Sequence, residues 1–133
     1  MSRRKLYDGH AIPAAGTTET AALTGYGDAA YLLMQAIFNH GSGGTTAKVY
    51  VQTSLDEGTT WIDIACFAFA TADETRLMKV MATDDLTDNT TPTDGSLTDD
   101  TTLSGVIGDR IRGKLVVVGT YSNSTIDLVV EAK

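Results

Sequence analysis

Apolar and polar residues alternate with a period of two along much of this chain, the pattern of half-buried β-strands. In Arg110–Val118, Ile111, Leu115 and Val117 fall on one side and Arg110, Arg112 and Lys114 on the other. Thr125–Ala132 repeats the pattern with Ile126, Leu128, Val130 and Ala132 on one face, and Lys48–Thr53 alternates in the same way. Thr75–Ala82 reads as a further strand. Trp61–Phe69 is apolar on both faces, as expected of a central strand covered on each side. A strand is also expected around Glu19–Thr24, followed by a Gly25-Tyr26-Gly27-Asp28 turn. Ala29–Asn39 is ambiguous: Ala, Leu, Met and Gln favour helix and Asp28 is a suitable N-cap. Yet it runs through His40-Gly41-Ser42-Gly43-Gly44 straight into an alternating strand, which suits an antiparallel partner, so strand is preferred. Seven or eight short strands with polar turns and no convincing helix predict an all-β fold, an antiparallel β-sandwich or jelly roll.

Two regions stand apart from the strands. Residues 1–17 mix charge, Gly, Pro and Ala without sustained periodicity and read as an extended N-terminal arm, ordered only against a partner. Thr83–Thr102 is a Thr/Asp-rich loop with Pro92 and Gly95 and no apolar face to bury. The remaining body, residues 18–133, is long enough for one core without disulfides or metal.

Between two predicted strands lies Ser54-Leu55-Asp56-Glu57-Gly58-Thr59-Thr60-Trp61. Ser54 and Asp56 can accept from nearby backbone N–H groups, Gly58 can take a positive φ, and Trp61 can pack over the turn. The S-x-D-x-G-x-T-W pattern resembles the Asp-box hairpin of sialidase propellers and several unrelated extracellular and viral β-proteins. That resemblance implies a fold element rather than an active site, with Ser54, Asp56, Gly58, Thr60 and Trp61 as its structural residues. A single copy and the lack of any long internal repeat exclude a propeller.

Charge narrows the function classes. The formal net charge of −7 argues against general nucleic-acid binding. Arg3, Arg4 and Lys5 sit together near the N-terminus, while Asp84, Asp85, Asp88, Asp94, Asp99 and Asp100 crowd the loop. No apolar stretch is long enough to span a bilayer as a helix, and no apolar segment of the kind a secretory signal needs follows the basic start. Synthesis and initial retention in a cytoplasm are therefore expected.

Candidate chemistry is sparse. His10 and His40 have neither zinc-pair spacing nor a triad partner. Ser42 lies in a glycine-rich turn rather than a nucleophile elbow, and Cys66, in Ile64-Ala65-Cys66-Phe67, reads as a buried inert thiol. The aspartates of the loop invite calcium but lack the regular spacing of an EF-hand, so a solvated loop is the expectation. No enzyme activity, cofactor or metal is expected. Trp61 and the tyrosines at 7, 26, 31, 50 and 121 keep a carbohydrate-binding module open, provided some share an exposed surface.

The central and C-terminal segments together resemble small structural proteins encoded among the virion genes of tailed bacteriophages. The likeness rests on Asn39–Thr46, on Val49-Tyr50-Val51-Gln52-Thr53-Ser54, on Asp56-Glu57-Gly58-Thr59-Thr60-Trp61 with Ile62-Asp63-Ile64-Ala65, and on Gly119-Thr120-Tyr121 before an alternating last strand. It covers about two thirds of the chain, from Leu32 to the end, with Glu57 where the pattern often has a second glycine. The resemblance implies a non-enzymatic capsid decoration (cement) protein, made in the host bacterial cytoplasm and located in the virion head. It would bind the major capsid protein in many copies and self-associate, a trimer matching threefold lattice positions. Its alternative is a carbohydrate- or receptor-binding module of a fibre or tail. In the cement reading, Arg3, Arg4, Lys5, Leu6 and Tyr7 of the arm contact the capsid, and removing residues 1–16 leaves a folded domain that binds shells weakly.

Overall fold

The computed structural model describes residues 3–133. Among the described residues ten strands follow one another without a helix: β1 (Arg3–Ala11), β2 (Gly16–Glu19), β3 (Tyr31–Asn39), β4 (Ser42–Gly43), β5 (Thr46–Ser54), β6 (Ile62–Phe69), β7 (Glu74–Met81), β8 (Arg110–Val118), β9 (Tyr121–Ser122) and β10 (Thr125–Ala132). Eight of them form two four-stranded antiparallel sheets, ordered β1-β10-β3-β7 and β2-β8-β5-β6, packed as a sandwich. The two-residue strands β4 and β9 clip together the glycine-rich links that read as turns in the sequence.

The alternation seen in sequence is the burial pattern. Leu32, Met34, Ala36 and Phe38 of β3 point inward, as do Ile126, Leu128, Val130 and Ala132 of β10. They meet Val49 and Val51 of β5, Phe67 and Phe69 of β6, and Ile111 and Leu115 of β8 across the core. Phe38 stacks on Phe69 with ring centroids 5.1 Å apart. The helix formers of β3 are held extended because only that geometry pairs its backbone with β10 and β7 while burying every second side chain against the facing sheet.

Two expectations are corrected. Residues 3–17 are not a free arm: Arg3–Ala11 pairs along β10, and Gly16–Glu19 pairs with β8. The cause is core burial, because Tyr7 and Ile12 are 4% and 9% exposed and Tyr7 lies over Gly113, where an added Cβ would stand 2.6 Å from its ring. Register shifts on either side of Tyr7 explain why no strand period is visible there. The second correction concerns β6, which is covered on both faces yet stands last in its sheet rather than at its centre. The long loop supplies the missing cover.

Candidate functional site

The Ser54–Trp61 turn closes through its own side chains. Ser54 Oγ accepts from Gly58 N at 2.8 Å and donates to Asp56 Oδ1 at 2.9 Å, while Thr60 N donates to the same carboxylate at 2.7 Å. The Thr60 backbone bond, joined by the Thr60 and Ser54 hydroxyls, holds the Asp56 carboxyl below its ordinary value. Glu57 and Gly58 both take positive φ, 60° and 92°. A second glycine would suit the first of these positions better than glutamate. Trp61 does not close over the turn alone: the Arg112 guanidinium lies 4.3 Å from its ring centroid. The turn residues thus serve local structure, and the hairpin delivers Trp61 to the outer face of β8.

Next to it lies a polar centre that the sequence reading missed. Asp63, fully buried, accepts from Gln52 Nε2, Thr93 Oγ1 and the backbone N–H groups of Gly95, Ser96 and Leu97 at 2.7–3.1 Å. Gln52 also donates to Asp94 Oδ1 at 2.6 Å and accepts from Arg112 Nε at 2.8 Å. Burial pushes the Asp94 carboxyl up, but its bonds to Lys114 and Gln52 and the charges of Lys114 and Arg112 outweigh this and lower it. One signal was in the sequence: an aspartate inside the apolar run Trp61–Phe69 must be paired.

This centre fastens the acidic loop over the outer face of β5 and β6. Lys48 bonds Asp99 at 2.8 Å, and Arg76 pairs with both Glu74 and Asp100. Backbone bonds from Asp63 N to Thr93 O, Cys66 N to Thr101 O and Leu103 N to Ile64 O then run along the edge of β6. Beneath the loop, burial raises Cys66 to about 11 and Tyr50 to about 12. The carboxylates of Asp94, Asp99 and Asp100 are thus spent on clasping the loop. Among the described residues no three His, Cys, Asp or Glu side chains gather to hold a metal ion.

The predicted contact residues of the N-terminal segment separate. Arg4 donates to Thr24 O at 2.6 Å and lies over the buried Tyr26 ring, Leu6 packs against the core, and Tyr7 is inside it. Arg3 and Lys5 alone reach the outer face of the β1-β10-β3-β7 sheet, opposite Glu131 and Val129. The aromatics do not form a platform either, since Tyr7, Tyr26, Tyr50 and Tyr121 are buried. His40 Nε2 bonds Gly43 O at 2.8 Å inside the glycine-rich link, and His10 lies beside the Tyr7 ring.

That outer sheet face is the candidate site. Leu33 and Leu77, 38% and 74% exposed, lie with half-buried Val129 around a shallow depression of about 530 Å³. Arg3, Gln35 and Glu131 also line it, with Arg3 3.7 Å from Glu131. Lys79 extends over the Tyr31 ring on the same face. An apolar centre within a charged rim, in a depression open to solvent, fits another macromolecular surface rather than an enclosed small molecule.

No family model, curated protein or solved structure matches this chain.

Proposed function

We propose that this chain is a non-enzymatic structural protein of a tailed-bacteriophage virion that decorates the head, docking on the major capsid protein through the outer face of its β1-β10-β3-β7 sheet. The observation that carries the docking surface is the exposed Leu33–Leu77 centre ringed by Arg3, Lys79 and Glu131. The virion setting rests on the sequence resemblance described above.

Magnitude supports many-copy use. Four strands about 4.8 Å apart and eight residues long at about 3.4 Å per residue present roughly 500 Å². A stable interface buries about 800 Å² on each partner. A single face therefore binds modestly, and firm attachment requires several faces acting together on a repeating lattice.

The test is co-sedimentation with head shells of the phage that encodes the protein. Leu33→Asp places a charge at the apolar centre, between Lys79 and Glu131 of the neighbouring strands, and Arg3→Glu reverses the rim. Both variants are expected to stay folded, with a melting temperature lowered by the carboxylate each sets opposite Glu131, and Leu33→Asp is expected to lose at least about tenfold in affinity. Wild-type binding by both variants would remove this face from the proposal.

A further inference from the structure

Each sheet of a sandwich ends in two edge strands, and exposed edges are normally blunted. The edge of β6 is covered by backbone bonds from Thr93, Thr101 and Leu103. β2 has four residues, and β1 carries two register irregularities. β7 is different: eight residues pair with β3 in unbroken register, and Leu77 at its middle is 74% exposed.

The direction of its free groups follows from the ladder. Ala82 N donates to Ala30 O, in line with the β3–β7 register, so Ala82 and every second residue before it turn their backbone groups toward β3. Thr75, Leu77, Lys79 and Met81 turn theirs away. Met81 is already satisfied, donating to Ser104 Oγ and accepting from Gly105 N. Thr75, Leu77 and Lys79 remain, their outward groups without a partner among the described residues.

We infer that β7 pairs antiparallel with β7 of a second copy about a twofold axis at Leu77, joining two β1-β10-β3-β7 sheets into one continuous sheet. The strand is self-complementary in this register. Leu77 meets its own copy, and Thr75 meets Lys79 of the second copy on both sides of the axis. Each pairing brings together residues whose N–H and C=O groups face outward, so each exchanges two backbone hydrogen bonds. Shifting the axis by one residue toward Met78 would oppose Thr75 to the occupied Met81; shifting it toward Arg76 would leave Lys79 beyond the other strand's free groups. On the inward side, Arg76 falls opposite Met78 and Glu74 opposite Val80, so no like charges face each other. An interface of this kind is isologous and closes at two subunits. It does not depend on what the outer face binds, though it would place two such faces side by side.

Sedimentation equilibrium of the intact chain from about 1 μM to about 1 mM tests the pairing. Wild type is expected to show a monomer–dimer equilibrium in that range. Thr75→Glu sets a carboxylate opposite Lys79 twice per dimer and should tighten it by about twofold to thirtyfold, whereas Thr75→Lys should weaken it by a similar factor. Leu77→Pro removes an outward N–H and should leave a folded monomer. If that variant fails to fold, the two Thr75 variants still decide the matter. A wild type monomeric throughout, or a dimer equally strong in Thr75→Glu and Thr75→Lys, would overturn the inference.

Discussion

Replacing Asp63 with asparagine changes little in volume but removes the charge that organises the loop. Five donor groups converge on the carboxylate: Gln52 Nε2, Thr93 Oγ1 and three backbone N–H groups. With the amide oxygen in the Oδ2 position, the bonds from Thr93, Gly95, Ser96 and Leu97 survive but lose charge assistance, about 1 kcal/mol each. The amide NH₂ then stands at the Oδ1 position, facing Gln52 Nε2 donor against donor, while Gly95 N keeps its 2.7 Å bond to the oxygen at Oδ2. Gln52 cannot rotate its amide to help without losing the Arg112 bond to its oxygen. A buried donor left without an acceptor costs about 1–3 kcal/mol. The total expected loss is therefore about 5–7 kcal/mol, a large fraction of the roughly 5–15 kcal/mol of an ordinary domain. Urea denaturation of wild type and Asp63→Asn gives the global loss. Hydrogen exchange at Gly95, Ser96 and Leu97 shows whether the loop opens first. A stability loss under about 1 kcal/mol with those amides still protected would refute the reasoning.

Three further outcomes follow from the same contacts. Gly113→Ala drives a methyl group into the Tyr7 ring and should cost about 1–3 kcal/mol, while Tyr7→Phe removes a buried hydroxyl with no partner among the described residues and should be neutral or stabilising by about 1 kcal/mol; thermal melts of the two variants check the pair. Removing residues 1–16 strips β1 from β10 and takes Tyr7 and Ile12 out of the core, so the truncated chain should lose its cooperative melt rather than remain a folded domain. Asp56 and Asp94 both titrate below the ordinary 3.8 in the folded chain, so their stabilisation is present above that value and lost as pH falls through the lowered folded values; the melting temperature should drop below about pH 4, and less steeply in Asp94→Asn, with equal acid limbs contradicting this.

The strands were legible wherever one face is buried and the other wet. Arg110–Val118 and Thr125–Ala132 match their predicted bounds because Ile111, Leu115, Ile126 and Leu128 share the buried faces while Arg110, Arg112, Lys114, Asp127 and Glu131 stand on the other. Ala29–Asn39 was resolved by its context, since its composition favours helix and only pairing with β10 and β7 makes it a strand. The N-terminal strand escaped notice because irregular register on either side of Tyr7 breaks the period, and because a charged strand at a sheet edge looks like an arm. The loop's order was invisible for a different reason. It depends on pairings over 30 residues or more, such as Thr93 with Asp63 and Asp99 with Lys48, and no local pattern encodes them. The bonds of Ser54, Asp56, Gly58 and Thr60 were legible because they are local to one turn. The Leu33–Leu77 face emerged only once β3 and β7 were known to be neighbours.

The most direct test of the decoration reading is to count this chain against the major capsid protein in purified virions of its phage by quantitative mass spectrometry. The account predicts many copies per head, near a simple ratio to the capsid subunit, released together with shell stability when the protein is stripped. A handful of copies, or none, would contradict it.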